Sequence, residues 1–112
     1  MKLVLHRSDY FNLDFDLQYR WYLKKAGLEV AERYLNALLL TLDELAMQPD
    51  LGRERHFRHR ELAGIRTFRL VAPFSVHLIF YRHTETELWA ERLMSGVRDL
   101  PRRLREPPDS AE

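Results

Sequence analysis

The chain has no cysteine, which excludes disulfides, thiolate metal sites and a cysteine nucleophile. It also lacks any apolar stretch approaching the roughly 18 residues that a bilayer-spanning helix requires. At the N-terminus, "MKLVLHRSDYF" offers only Leu3, Val4 and Leu5 before His6 and Arg7, too short an apolar run for a signal-peptide core. A cytoplasmic protein with no membrane association is therefore expected. No excess of one charge dominates, the net being +1, but the distribution is uneven. Counting Lys and Arg against Asp and Glu, residues 1–50 carry 6 and 8, residues 51–83 carry 7 and 2, and residues 84–112 carry 5 and 7. The basic middle third also holds His56, His59, His77 and His83, and it predicts attraction to an anionic partner, either nucleic acid or an acidic protein segment.

What is present is an apolar fraction of 46%, with 12% aromatic residues, in 112 residues. That is enough for one folded domain around a single core. "KLVLH" (2–6) alternates like a short strand. Ser8 or Asp9 can cap a helix over 9–26, in which Tyr10, Leu13, Leu17 and Trp21 form one stripe and Phe11, Phe15 and Tyr22 widen it. Lys24 and Lys25 suit its C-terminal end, and Gly27 supplies the left-handed residue that stops it. From Leu28, the positions Leu28, Ala31, Leu35, Leu38, Leu42 and Leu45 alternate steps of three and four, with Leu39 and Ala46 broadening the seam until Pro49 ends the helix. Two helices separated only by Gly27 must pack as a hairpin.

A polar connector, "QPDLGRERHFRHRELAG" (48–64), leads to three alternating segments at 65–71, 74–82 and 87–94, joined by turns at Ala72-Pro73 and at 83–86. Short links make them an antiparallel meander. In 74–82, Phe74, Val76, Leu78 and Phe80 are expected on one face, with Ile79 and Tyr81 on the other, as befits a central strand. The expected fold is α+β: a strand, a helical hairpin covering one face of a sheet, then a three-stranded antiparallel meander and a short basic C-terminal segment. One domain over 1–104 with a flexible tail over 105–112 completes the expectation.

This order resembles the RelE/ParE superfamily of toxins from type II toxin–antitoxin modules. The resemblance is carried by "LDELAMQPDLGR" (42–53), "LAGIRTFRL" (62–70), "HLIFYR" (77–82) and "RLMSGVRDL" (92–100), and it covers about residues 3–104. Tyr81-Arg82 at the end of the central strand and the Gly96-x-Arg98-Asp99 close are more similar to ParE than to RelE. The resemblance implies a toxin that acts on DNA gyrase by binding, neutralised by a cognate antitoxin whose C-terminal segment wraps the hairpin and the sheet, within a possible higher-order complex. The RelE alternative implies a ribosome-dependent mRNA endonuclease, and a relative that only binds its partner is a third reading. No cofactor is implied.

RNA cleavage through the 2′-hydroxyl needs a base, a cation for the phosphorane charge and an acid. Arg66, Arg69 and Arg98 are candidate cations, although Arg66 and Arg69, three apart, fall on opposite faces of a strand. The stretch after Gly96 offers no Tyr or His, which argues against the nuclease. His77 and, for the nuclease set, Arg66, Tyr81, Glu91 and Arg98 remain the candidates. For target or antitoxin binding the candidates are Arg53, Arg55, Arg58, Arg60, Arg66, Arg69, Trp89 and Arg98, set against solvated connector positions for the first four and a core role for Trp89. His56 and His59 form an HxxH without the cysteine or acidic residues to complete a metal site. Asp99 is as well placed to cap or pair locally as to act chemically, and Ser95 stands where ParE-like relatives often have His.

Overall fold

Ser8 sets the first helix. Its hydroxyl accepts the Phe11 backbone N–H at 3.0 Å and donates to the Glu91 carbonyl at 2.8 Å, so the cap that starts the helix also ties it to the last strand. The computed structural model describes residues 1–96 and 100–108. It contains β1 (Val4–Arg7), α1 (Asp9–Ala26), α2 (Leu28–Met47), β2 (Arg53–Glu54), β3 (Arg66–Arg69), β4 (His77–His83), β5 (Glu87–Ser95) and α3 (Leu100–Arg103), with single 3-10 turns at Pro49–Leu51 and Arg60–Leu62. Gly27, at φ +96°, both ends α1, through its N–H to the Tyr22 carbonyl, and opens α2. A residue with a Cβ is strained in that region.

The strands form one sheet in the order β1-β5-β4-β3-β2. The expected meander of β3, β4 and β5 is there, paired antiparallel, and two further strands extend it. β1 runs parallel to β5, with Val4 opposite Glu87 and Arg7 opposite Ala90. β2 forms inside the connector by pairing Arg53 with Thr67 and Glu54 with Arg66. Between the pairs Phe80–Arg92 and Tyr81–Ala90 a bulge leaves Glu91 as the extra residue, which twists β5 and re-aims its side chains.

The hairpin covers one face. Phe11, Tyr34, Leu38, Leu42 and Leu45 from the helices meet Ile79, Tyr81, Leu88, Ala90 and Leu93 from the sheet. On the opposite face Ile65, Phe80 and Met94 are covered by Leu62 from the connector and by Leu104 from the C-terminal segment.

Three patterning expectations change. In α1 the buried side carries Phe11, with Phe15, Tyr19 and Tyr22 packed against the core, whereas Leu13 and Trp21 stay 50% and 46% exposed. The two stripes compete, and the larger aromatic one wins because it fills more volume against Tyr34 and Phe74. In α2, Leu28 and Leu39 are exposed, and Tyr34, Ala37 and Thr41 share the buried seam instead. Residues 74–76 do not extend the fourth strand: the Phe74 N–H bonds the Val71 carbonyl and the His77 N–H bonds the Phe74 carbonyl. This turn breaks the alternation, so Phe74 joins the hairpin-side core with Tyr22 and Tyr34, Val76 is exposed, and Leu78 and Phe80 line the other face.

Candidate functional site

Arg66 lies opposite Tyr81 in the sheet, and both face the hairpin. The Tyr81 hydroxyl donates to the Pro49 carbonyl at 2.6 Å and accepts the Gly52 N–H at 2.9 Å. The Arg66 guanidinium donates to the Gly52 carbonyl at 2.7 Å and pairs with Asp50 at 3.5 Å, and Asp50 also accepts from His83 at 3.1 Å. Together they fix the turn that follows α2. Burial raises the Tyr81 pKa above the usual phenol value, against the Gly52 hydrogen bond and the Arg66 charge, which lower it. A Cβ on Gly52 would lie 2.6 Å from Tyr81 Cε1 and 2.8 Å from Cζ, so the Gly in "LGR" is required by the ring packed on it.

Glu91 and Arg82 sit on the other face. Arg82 alternates with Tyr81 along β4 and meets Glu91 at 3.1 Å, while also donating to the Glu61 carbonyl. Burial raises the Glu91 pKa, and Arg82 opposes the shift. Nearby, Trp89 stacks on His6 with ring centroids 5.4 Å apart. Trp89, Tyr10, Glu91 and Leu104 line a hollow of about 380 Å³. The nuclease candidates thus divide between two faces: Arg66 and Tyr81 on the hairpin side, Glu91 on the other. Arg98 and Asp99 lie outside the described residues.

In the basic connector Arg53 and Arg55 share the face of Thr67, away from the hairpin. Arg53, Arg58 and Arg60 are exposed, and Arg55 stands over the Phe57 ring at 5.2 Å. Arg69, opposite Leu78, donates to the Ser75 carbonyl at 2.9 Å. A second hollow of about 380 Å³ is lined by Leu51, Arg53, Arg55, Thr67, Phe68, Arg69 and Leu78. His77 is buried and bonded to the Tyr22 hydroxyl at 2.8 Å, and desolvation holds its pKa down at about 4. The ring is neutral at pH 7 and sits in the aromatic core with Tyr34 and Phe74.

Sequence reasoning passed over Arg92. It is only 4% exposed, and its guanidinium grips the Asp14 carboxylate through two bonds of 2.8 and 3.1 Å. It also donates to the Arg103 carbonyl at 2.9 Å and the Glu106 carbonyl at 2.6 Å. The same carboxylate accepts the Leu93 N–H at 2.9 Å. One buried arginine therefore joins α1, β5 and the segment after α3. The available signal was an arginine in the midst of "ELWAERLM", together with Asp14 and Asp16 set among the aromatic residues of α1.

The model for the ParE toxin of the type II toxin–antitoxin system, parDE, matches residues 5–100. Among solved structures, a chain described as the chromosomal ParDE TA system from P. aeruginosa superimposes with a TM-score of 0.67 at 19% identity, covering 84% of this chain and 96% of that one. No curated protein sequence matches the chain. Among the described residues no helix is long and apolar enough to cross a membrane. At 19% identity the structural likeness concerns the fold; the sequence match runs from β1 to the start of α3, and by it this chain belongs to the ParE toxin family of type II toxin–antitoxin systems.

Proposed function

We propose that this toxin inhibits DNA gyrase by binding rather than by catalysis, in the cytoplasm, and that a cognate antitoxin neutralises it. The observation that carries the reading is the division of the titratable candidates between two faces. Tyr81 and Arg66 are committed to the Pro49–Gly52 turn, while Glu91 is paired with Arg82 across the sheet. Among the described residues no base, acid and cation converge there on one phosphate. Arg53, Arg55, Arg58, Arg60 and Arg69 then serve recognition, with Trp89 as an anchor at the other end of the sheet. The antitoxin covers the apolar side chains that the hairpin leaves exposed, among them Leu13, Trp21, Leu28, Leu39 and Leu40.

The test is direct. Purified toxin is added to gyrase relaxing and supercoiling plasmid DNA, and in parallel to a reconstituted translation reaction. Inhibition of supercoiling with intact mRNA is the expected result. Ribosome-dependent cleavage of mRNA, lost in Arg66→Ala, would overturn the proposal.

A further inference from the structure

Between Arg53 and Arg69 the chain carries six arginines and two glutamates, and the fold separates the two signs. Glu54 stands opposite Arg66, on the hairpin side, and the Glu61 carboxylate lies 3.8 Å from Arg105. Arg66 itself is committed to Asp50 and to the Gly52 carbonyl. Arg53, Arg55 and, on β3, Arg69 lie on the other face, that of Thr67. Among the described residues these three form no ion pair, whereas Arg66, Arg82 and Arg92 each hold a carboxylate.

The three stand in a row. Arg53 lies directly opposite Thr67, and Arg69 is two residues further along β3. Alternate residues of an extended segment are about 6.6 Å apart and diagonal neighbours on adjacent strands about 7–8 Å, so Arg55, Arg53 and Arg69 follow one another at nearly even steps. Two of them are already held in place. Arg55 stands over Phe57, which packs against the core of that face, and Arg69 donates to the Ser75 carbonyl. A guanidinium has five N–H donors, so both keep most of theirs for a ligand. The hollow of about 380 Å³ between them has no carboxylate in its lining. Thr67 belongs to that lining, and its buried hydroxyl has no hydrogen-bond partner among the described residues, a cost that an acceptor in the hollow relieves.

We infer that this row binds the phosphodiester backbone of duplex DNA, namely the DNA that gyrase holds; the inference rests on the gyrase reading above. Arginine forks take phosphate oxygens two at a time. A phosphodiester strand carries a charge at every step, so it matches an unbroken row of cations without needing any pattern of side chains, and its sugar carbons rest on Leu51, Phe68 and Leu78. Contacts of this kind carry no base sequence, so binding is indifferent to it. Three neutralised phosphates give log K a slope of about −2.7 against log salt. They are too few to hold free DNA tightly at physiological salt. They suffice once gyrase brings toxin and DNA together, where the effective concentration is on the order of millimolar.

The experiment is fluorescence anisotropy of a labelled duplex of about 20 base pairs with the full chain, between about 50 and 200 mM salt. Affinity is expected to fall about 40-fold over that range, alike for duplexes of unrelated sequence. Arg53→Gln with Arg69→Gln is expected to flatten the slope by about 2, and Arg55→Gln alone, which serves should that pair fail to fold, by about 1. Lys24→Gln with Lys25→Gln, the same loss of charge at exposed positions of α1, is expected to leave the slope as it was. Four results would each overturn the inference: no duplex binding at the lowest salt, an unchanged slope in the arginine variants, an equal flattening by the lysine pair, or an oligoglutamate of equal charge that displaces the duplex as well as unlabelled duplex does. A supercoiling assay with the same proteins keeps the two readings apart. A wild type that binds duplex with this slope but leaves gyrase active refutes the gyrase reading and leaves the phosphate contact standing, whereas inhibition as strong in the arginine pair as in the wild type refutes the DNA contact alone.

Discussion

Replacing Arg92 by methionine keeps most of its length and removes its charge. In the folded chain Asp14 would then hold a carboxylate at 8% side-chain exposure with the Leu93 N–H as its remaining bond, and the carbonyls of Arg103 and Glu106 would lose their donor. Removing one partner of a buried ion pair costs about 3–5 kcal/mol, because the other charge is left uncompensated. That is a large part of the roughly 5–15 kcal/mol that stabilises a domain. For 112 residues, an unfolding entropy of about 2.1 cal/mol/K per residue means that 1 kcal/mol shifts Tm by roughly 4 °C. Arg92→Met should therefore lower Tm by roughly 12–20 °C, measured by circular dichroism and checked by urea unfolding. Asp14→Leu alone should also destabilise, since it strands the guanidinium. The pair Asp14→Leu with Arg92→Met should lose less than the sum of the two by about 2 kcal/mol or more. A loss below about 1 kcal/mol for Arg92→Met, or strictly additive losses, would refute the reasoning, since either would mean that the pair behaves as a surface pair.

Three further outcomes are expected. Gly52→Ala, which places a methyl group against the Tyr81 ring, should cost about 1–3 kcal/mol by overpacking, read from urea midpoints; an unchanged midpoint would show that the ring yields freely. Tyr34→Phe should be neutral or stabilise by up to about 1 kcal/mol, because the buried Tyr34 hydroxyl has no hydrogen-bond partner among the described residues; a clear drop in Tm would contradict this. His77, held at about 4 in the folded chain against about 6.5 unfolded, contributes stability above pH 6.5 that is lost as pH falls toward 4, up to about 3 kcal/mol. The raised Glu91 pKa acts with the opposite sign, so the measurement is the difference in pH dependence between the wild type and His77→Gln, and identical profiles would exclude His77 as the cause.

Some of this was legible in the sequence and some was not, for identifiable reasons. The helical hairpin was, because its signals are local: a cap at Ser8, a period near 3.6 and a left-handed glycine at position 27. The meander was too, since Ile79 and Tyr81 alternate against Leu78 and Phe80 over a single strand. β2 was not, because two residues carry no period, and its strand conformation is imposed by Thr67 and Arg66 on β3. Which stripe of α1 turns inward depends on what it meets, Tyr34 and Phe74 for the rings and Arg92 for Asp14, none of them local to α1. The division of Tyr81 and Glu91 between faces follows from the bulge at Glu91, which shifts parity without any glycine to announce it.

The parallel pairing of β1 with β5 has a consequence for how the protein comes into being. Val4 waits for Glu87 and Asp14 for Arg92, so the first strand has no neighbour until the last is synthesised. Such distant contacts delay closure of the sheet relative to the helices, whose contacts are local. On the ribosome the hairpin therefore emerges with its sheet-facing side uncovered, and the finished fold arrives only when nearly the whole chain is out. Any partner made at the same time would meet the chain during that interval, before the fold is closed.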